Sequence, residues 1–176
     1  NLSNHISAQH VLDYGLNTVT ASRDLDQTQL FDLLQHIDPT RLAVTLHHHI
    51  PTFHTEHCVY AHLLSQGKDF RNCGKPCEDH KVALRDHKGY EHPILVDVEC
   101  RNTIFNAQAQ TAASLALRLQ KAHVGRLRIE FVWESREEVK KVIQSYQALL
   151  AGQLSVTQVK QQLQTHEQFG VSAGTM

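Results

Sequence analysis

The sequence has no surplus of charge of either sign. Its 17 Lys and Arg residues nearly cancel its 18 Asp and Glu residues, so the formal net charge is -1, and the pI is close to 7.0. Proteins that bind nucleic acid through a basic surface need an excess of Lys and Arg, because contacts with phosphate supply most of the affinity. The charge balance therefore argues against a free-standing protein of that kind.

Long apolar runs are also missing. No run approaches the roughly 18–20 apolar residues that a helix needs to cross a bilayer, and no charged segment followed by an apolar one opens the chain. We therefore expect a cytoplasmic protein with neither a membrane anchor nor a signal peptide. Internal repeats and low-complexity linkers are absent as well, and 176 residues with 41% apolar side chains suit a single folded domain.

Histidine, by contrast, is abundant, and it is concentrated with the cysteines in the middle of the chain. Nine of the 14 histidines lie between positions 47 and 92. They are His47, His48, His49, His54, His57, His62, His80, His87 and His92. All four cysteines fall in or next to that stretch, at Cys58, Cys73, Cys77 and Cys100. We therefore expect the chemistry of the protein in its middle part.

Outside this middle part, strand-like and helix-like segments alternate. Apolar strand-like segments occur near 18–21, 41–47 and 127–132, and amphipathic helical segments lie next to them. Such alternation predicts a parallel sheet with helices packed on it. Three strands are too few for a closed (β/α) barrel, which takes roughly 200 residues or more. We therefore predict an α/β fold with a partial barrel-like sheet or a small open sheet, followed over 153–176 by a polar helix and a tail that is frayed from 170.

Residues 47–106 break this alternation. The part from 51 to 81 is rich in His, Cys, Gly, Lys and Asp and has no sustained period. Two strand-like segments, 82–84 and 94–96, enclose a Lys-Gly pair and predict a β-hairpin. Residues 103–105 predict a third short strand. The predicted fold therefore includes a Cys/His-rich insertion that contains a hairpin.

The cysteines are spaced as Cys58-x14-Cys73-x3-Cys77-x22-Cys100. Four cysteines in a chain without a secretion signal favour metal ligands over disulfides. Thiolates bind soft metals, and four of them complete either a tetrahedral Zn²⁺ site or the corners of a [4Fe–4S] cluster. Within the tight loop, Gly74 permits backbone N–H groups to approach sulfur and Pro76 stiffens the turn. The spacing alone does not separate zinc from iron–sulfur, and two disulfides or four free thiols are the alternative.

Two histidines raise a second hypothesis for the same region. His54 and His57 flank Glu56 directly before Cys58, and imidazole nitrogens are good zinc ligands. A mixed Cys/His zinc site is therefore an alternative. In a peptidase, Glu56 with His54 and His57 would be the catalytic acid/base or zinc-binding residues. The alternative is a polar loop beside a cluster, and the sequence holds no Ser-His-Asp or HExxH arrangement that would favour hydrolysis.

Three further polar residues are candidates for binding an anionic substrate or cofactor. They are Arg85, Arg101 and Asn102. The alternative is ordinary salt bridging, for example of Arg85 with Asp86 or Glu99. Contact with RNA is a weaker hypothesis, because residues 58–101 hold seven Lys and Arg against seven Asp and Glu.

Five segments resemble, in order, motifs of the U32 peptidase family, the collagenase-like peptidases. The segments are Pro51–Tyr60 (PTFHTEHCVY), Asn72–Cys77 (NCGKPC), Ala83–Asp86 (ALRD), Glu91–Pro93 (EHP) and Cys100–Asn106 (CRNTIFN). The resemblance is to the C-terminal part of large members. It covers residues 1–152 and is strongest over 44–106.

The resemblance implies a (β/α) barrel of which residues 1–152 would be the last units. A chain that begins with Asn1 would then be a piece of a longer protein, with the remaining N-terminal part as its partner. Some relatives are collagenase-like proteases, whereas others hydroxylate RNA bases or take part in ubiquinone hydroxylation, and several carry a cysteine-bound [4Fe–4S] cluster. Cys58, Cys73 and Cys77 match the cluster pattern of those relatives, and Cys100 is the candidate for the fourth ligand.

The sequence departs from the family pattern at two places. Small residues usually precede the first cysteine of the motif, whereas this chain has His57 there. Many relatives also place a second cysteine about seven residues after the first, where this chain has Ser65. The ligand set therefore differs from that of those relatives, and the missing N-terminal part is another source of a fourth ligand.

Three functions follow as hypotheses. The first is an enzyme with a [4Fe–4S] cluster that carries out redox or hydroxylation chemistry on RNA or a small molecule. The second is a collagenase-like protease that acts on peptides, and the third is a structural Zn²⁺ module. Exposed sheet edges in a truncated barrel would also favour a homo-oligomer.

Overall fold

The computed structural model describes residues 2–67 and 69–167, so the tail predicted for 170–176 lies outside the described residues. The helices in the described residues are α1 (His5–Asp13), α2 (Gln27–His36), α3 (Val59–Leu64), α4 (Pro76–Asp79), α5 (Ala113–Lys121), α6 (Arg136–Leu150) and α7 (Val156–Leu163). The strands are β1 (Val19–Thr20), β2 (Leu42–His48), β3 (Pro51–Thr55), β4 (Val82–Arg85), β5 (Glu91–Val96), β6 (Asn102–Phe105), β7 (Gln110–Thr111), β8 (Arg126–Ile129) and β9 (His166–Glu167).

The chain divides into two compact units, each with its own β-sheet. The first unit comprises residues 1–48 and 109–176, and the second comprises residues 49–108. Strands β1, β2, β7, β8 and β9 form the sheet of the first unit, and strands β3 to β6 form that of the second.

Strand β2 is the centre of the first unit. Strands β1 and β8 both pair with it in parallel, with Val19 opposite Leu42 and Leu127 opposite Val44. The three parallel strands that the sequence predicts are therefore present. The two-residue strands β7 and β9 extend the sheet. They are too short to produce a sequence pattern, and the sequence does not predict them.

Helices α2, α5 and α6 share one hydrophobic core with β2. Every residue of β2 is buried, and the helices contribute apolar stripes that include Leu33, Leu119 and Leu149. Capping boxes begin three helices, at Asp26, Ser135 and Ser155. In each box the side chain of the capping residue satisfies a backbone N–H that the helix itself leaves unpaired. Local hydrogen bonds therefore determine where α2, α6 and α7 begin. The position of the apolar residues determines which face of each helix packs on the core.

The sheet of the second unit is antiparallel throughout, in the order β3-β6-β5-β4. Strands β4 and β5 form the predicted hairpin, with Val82 opposite Ile94, and β6 is the predicted third strand. Strand β3 and helices α3 and α4 lie within 51–81, where the sequence predicts no regular element. Most side chains of β3 are exposed, and α3 and α4 span six and four residues. Neither a strand period nor a helix period can show in such segments.

The fold is mixed α/β, as predicted, and the described residues form no closed barrel. The partial barrel-like arrangement and the division into residues 1–152 and 153–176 stay predictions. None of the helices in the described residues is long and apolar enough to cross a membrane.

Tyr146 of α6 places a polar group inside the core of the first unit. Its hydroxyl donates to the Leu46 carbonyl oxygen at 3.0 Å and lies 2.5 Å from Thr111 Oγ1. Burial raises the pKa of Tyr146 above its usual value, because a phenolate would lose its hydration there, and the hydrogen bond with Thr111 offsets only part of this effect. The hydroxyl is therefore held protonated as a link between β2, β7 and α6.

We expect Tyr146→Phe to lower the free energy of unfolding by about 1–2 kcal/mol at neutral pH, because Leu46 and Thr111 lose a buried partner. The difference in free energy of unfolding between the two proteins should shrink above about pH 10. Tyr146 ionises there in the unfolded wild-type chain but not in the folded one, which lowers the stability of the wild type and leaves that of Tyr146→Phe unaffected. Urea unfolding at neutral and alkaline pH measures both effects. Tyr14→Phe is the control, because the Tyr14 side chain is 77% exposed. A deficit that does not change with pH would contradict the buried, protonated hydroxyl.

Candidate metal centre

The four cysteines line one cavity of the second unit. The cavity has a volume of about 760 Å³. Cys58 precedes α3, Cys73 lies in the loop before α4, Cys77 lies in α4, and Cys100 lies in the turn between β5 and β6. All four are free thiols of intermediate exposure. The structure therefore brings all four predicted residues to one place, and no disulfide links them.

The four sulfur atoms surround the cavity and do not converge on one point. Among the described residues, one set of three or more His, Cys, Asp or Glu has ligand atoms all within 4.8 Å of one another, and it contains no cysteine. Four thiolates on a zinc ion, each about 2.3 Å from the metal, would lie within about 4 Å of each other. The thiols are therefore spaced more widely than a single zinc ion requires.

Cys58 is the N-cap residue of α3. Its Sγ accepts a hydrogen bond from the backbone N–H of Ala61 at 3.5 Å. The backbone N–H of Val59, the residue directly after Cys58, donates to the side-chain oxygen of Asn102 at 2.8 Å. Both bonds fix the first turn of the helix, so the position of this sulfur follows from the local backbone.

The loop from Cys73 to Cys77 is shaped by two successive residues in the left-handed region. Gly74 has a φ of 69° and Lys75 a φ of 51°. The backbone N–H of Lys75 donates to Cys73 Sγ at 3.4 Å, and Pro76 then begins α4. The prediction that this loop lets a backbone N–H approach sulfur is therefore confirmed, with Lys75 as the donor.

Gly67 supports the same loop and is a residue that sequence reasoning missed. A Cβ atom on Gly67 would lie 2.2 Å from the carbonyl oxygen of Asn72. Only glycine therefore allows the backbone to pass this close to the residue before Cys73. A glycine in a polar, aperiodic segment predicts a turn, but nothing in its spacing points to a close approach.

Cys100 lies in a tight turn organised by Asp97. Cys100 has a φ of 64°, and its backbone N–H donates to the Asp97 carbonyl oxygen at 3.1 Å. The Asp97 carboxylate accepts hydrogen bonds from the backbone N–H groups of Glu99 and Arg101. Burial raises the pKa of Asp97, but these bonds and the Arg101 guanidinium outweigh it, so the pKa is below its usual value. Asp97 is therefore ionised and holds the turn.

The thiols influence one another electrostatically. Burial raises the pKa of Cys100, and the neighbouring Cys58, Cys73 and Cys77 raise it further. The physical cause is that a thiolate is disfavoured both by desolvation and by other thiolates nearby. A cation placed among the sulfurs would reverse both effects, because it stabilises the deprotonated ligands.

Both apolar and charged side chains form the remaining wall of the cavity. Phe70 and Val98 line it and are 64% and 101% exposed. Tyr60 is buried beside it, and its hydroxyl donates to the Ile94 carbonyl oxygen at 2.7 Å and accepts from the Val82 N–H at 3.2 Å. Tyr60 therefore ties α3 to the hairpin. Sequence reasoning missed these residues because isolated apolar residues in an aperiodic segment carry no pattern.

The structure does not bring His54, Glu56 and His57 together as ligands. All three side chains are exposed, and they form no set of ligand atoms within 4.8 Å in the described residues. His54 Nδ1 lies 2.9 Å from Thr103 Oγ1 on the neighbouring strand. The His57 ring packs edge-to-face against His62. Their role in peptide hydrolysis stays a prediction.

The candidate anion-binding residues are engaged within the second unit. Arg85 forms a salt bridge with Glu91. The sequence suggested a salt bridge of Arg85 as the alternative to ligand binding, but with Asp86 or Glu99 as its partner. Arg101 pairs with Asp97 at 2.9 Å and with Glu99 at 2.6 Å. The Asn102 side chain is fully buried. Substrate or cofactor binding by Arg85, Arg101 and Asn102 stays a prediction.

Asn102 connects two of the cysteine segments. Its carboxamide accepts from the Val59 N–H beside Cys58 and donates to the Cys100 carbonyl oxygen at 3.1 Å. A residue that is 0% exposed and bonded on both sides fixes the distance between the two segments.

We expect Asn102→Ala to lower the free energy of unfolding by about 1–3 kcal/mol, because the Val59 N–H and the Cys100 carbonyl would lose their buried partner. Urea unfolding of the metal-free protein measures the effect. Asn106→Ala is the matched control, because only backbone atoms of Asn106 take part in the hydrogen bonds of the described residues. Equal effects of the two substitutions would contradict the role assigned to the carboxamide.

The comparisons with known proteins give one match. The profile of peptidase family U32 matches residues 1–173. No curated protein and no solved structure matches the chain at a significant level. The match spans the whole cysteine region as well as the parallel strands. Because the match covers nearly the whole chain, the chain belongs to peptidase family U32.

Proposed function

We propose that Cys58, Cys73, Cys77 and Cys100 hold a [4Fe–4S] cluster that serves an enzyme of redox or hydroxylation type. One observation carries the proposal. Four free thiols from separate segments line a single cavity of about 760 Å³, yet no three of their sulfurs lie within 4.8 Å of one another. Thiolates at the corners of a cube of iron and sulfide stand farther apart than thiolates on one metal ion. The wide spacing therefore favours a cluster over zinc.

The surroundings of the thiols also suit a cluster. Backbone N–H groups donate to Cys58 Sγ and Cys73 Sγ, and such bonds stabilise thiolates and help to set a reduction potential. Phe70 and Val98 give the cavity an apolar wall. When bound, a cluster of this kind supplies one-electron transfer. The chain's own residues hold the sulfurs and donate hydrogen bonds to them.

We also propose that the parallel strands β1, β2 and β8 belong to a (β/α) barrel that a further N-terminal segment completes. The three strands run parallel, and helices α2 and α6 follow β1 and β8, which supports this arrangement. The segment would supply residues that recognise the substrate, which is RNA or a small molecule. A structural Zn²⁺ module is the alternative, and it would require the sulfurs to come closer together, to the separation of about 4 Å that thiolates on zinc have.

Anaerobic purification tests the cluster directly. We expect a brown protein with a broad visible absorption band and about four iron and four sulfide per chain, as four thiolates on one cube require. Assays of iron, acid-labile sulfide and zinc measure the outcome. A colourless protein with one zinc per chain would favour the structural module. A metal-free protein whose thiols all titrate would contradict both.

Substituting Cys73 tests the ligand set. Cys73→Ser should lose most of the bound iron, because a hydroxyl is a poor replacement for a thiolate toward iron. His57→Gln is the matched control, because His57 is exposed and lies next to Cys58 but does not line the cavity. The control should keep the full iron and sulfide content. Loss of metal in the control alone would instead favour a mixed Cys/His site.

Membership of a peptidase family favours proteolysis as a second candidate function. Glu56 would then act as the acid/base residue, with His54 and His57 beside it at the end of β3. If so, the protein should cleave gelatin, and Glu56→Gln should lower the rate by about 100-fold or more. Glu78→Gln serves as the control, because Glu78 is an exposed carboxylate of the same unit. Cleavage that EDTA abolishes would indicate a metalloprotease, and cleavage that Glu56→Gln leaves unchanged would exclude this role for Glu56.

A further inference from the structure

The sheet of the first unit carries a polar cavity on the face opposite its core. Val44 and Leu46 of β2 point into the hydrophobic core. Alternation along a strand therefore places Ala43 and Thr45 on the other face. On that face a cavity of about 400 Å³ is bounded by β1, β2 and β8. It is lined by Thr18, Thr20, Ala43, Arg126, Leu127 and Arg128.

Positive charge exceeds negative charge around this cavity. Arg126 and Arg128 both line it. Arg128 Nε lies 3.1 Å from one oxygen of Glu130, and Arg23 Nη2 lies 3.0 Å from the other. Two guanidinium groups therefore share one carboxylate, and that of Arg126 has no ion pair among the contacts of the described residues.

The carboxylate orients the arginines without using all of their donors. Each oxygen of Glu130 receives one contact from one guanidinium, and a guanidinium carries five N–H donors. The side chains of Arg23 and Arg128 are 43% and 54% exposed, whereas that of Glu130 is 20% exposed. The remaining donors therefore stay accessible to a ligand, while the carboxylate is largely covered.

Hydroxyl groups accompany the guanidinium groups. Thr18 Oγ1 accepts from Arg126 Nη1 at 2.8 Å, which leaves its own O–H as a donor. Thr45 pairs directly with Arg128 across the strands, so the two side chains lie on the same face. Thr45 is 3% exposed, and its Oγ1 has no hydrogen-bond partner in the described part of the chain. This hydroxyl is covered and Thr45 does not line the cavity, so the hydroxyl groups that a ligand there can reach are those of Thr18 and Thr20.

We propose that this cavity binds the phosphate group of a small molecule. Arginine forks and hydroxyl donors are the groups that recognise a phosphate, because they match its charge and its several acceptor oxygens. Arg126 and Arg128 supply the charge, Glu130 orients Arg128, and Thr18 and Thr20 supply hydroxyl groups. A volume of about 400 Å³ suits a small molecule and not a polymer. The proposal does not rest on the cysteine site, which lies in the other unit.

Titration of the full chain with inorganic phosphate tests the proposal. Phosphorus NMR or calorimetry should show saturable binding, and Arg128→Gln and Arg126→Gln should each weaken it at least tenfold. Arg136→Gln is the matched control, because Arg136 is an exposed arginine at the start of α6. The control should bind phosphate as the wild type does. Circular dichroism and urea unfolding show whether each variant is folded.

Thr18→Val keeps the test informative if an arginine variant fails to fold. It removes a hydroxyl from the lining of the cavity and keeps a side chain of similar size, so the variant should fold and should bind phosphate several-fold more weakly. The proposal fails if phosphate does not bind saturably, or if Arg136→Gln weakens binding as much as Arg128→Gln. It also fails if Arg128→Gln and Thr18→Val both bind like the wild type, or if succinate binds as tightly as phosphate.

Discussion

The cysteine cavity depends on one buried carboxamide. Asn102 accepts a hydrogen bond from the backbone beside Cys58 and donates one to the carbonyl of Cys100. These two cysteines are far apart in the sequence, and a polar side chain that is fully buried cannot leave either bond unmade without a large desolvation cost. The fixed distance between α3 and the turn after β5 is therefore a consequence of satisfying backbone groups. Neither sulfur needs a metal to arrive at the cavity.

The histidines that make the composition unusual do different work. His47 packs against Tyr146 and Phe131, and His48 Nδ1 lies 3.4 Å from Arg23. In the second unit, His92 contacts both Asp86 and the backbone of Ala107. These contacts are internal and link separate parts of each unit. A stretch rich in histidine is thus compatible with a metal site whose proposed ligands are all cysteines.

The fold could be predicted where periodicity is long enough to read. Strand β2 and helix α6 have sustained patterns, and the hairpin of β4 and β5 encloses a Lys-Gly turn. Helix α3 and strand β3 could not be predicted, because one is short and the other is solvent-exposed. At the site, cysteine identity and the Gly74 turn are visible in the sequence. The roles of Asn102 and Gly67 are not visible there. The hydrogen bond of Asn102 joins it to Val59, which is distant in the sequence, and the close approach of Gly67 to Asn72 exists only in the folded backbone.

The mutual influence of the four thiols has a further consequence for how such a site is filled. Burial and the neighbouring thiols raise the pKa of Cys100, so this thiol holds its proton more firmly than a free cysteine does. A metal that binds through Cys100 must displace that proton, and loading is then coupled to proton release. Acidic surroundings would favour the protonated site, and loading would acidify an unbuffered medium. The proximity of the four thiols thus couples occupancy of the site to the proton concentration around it.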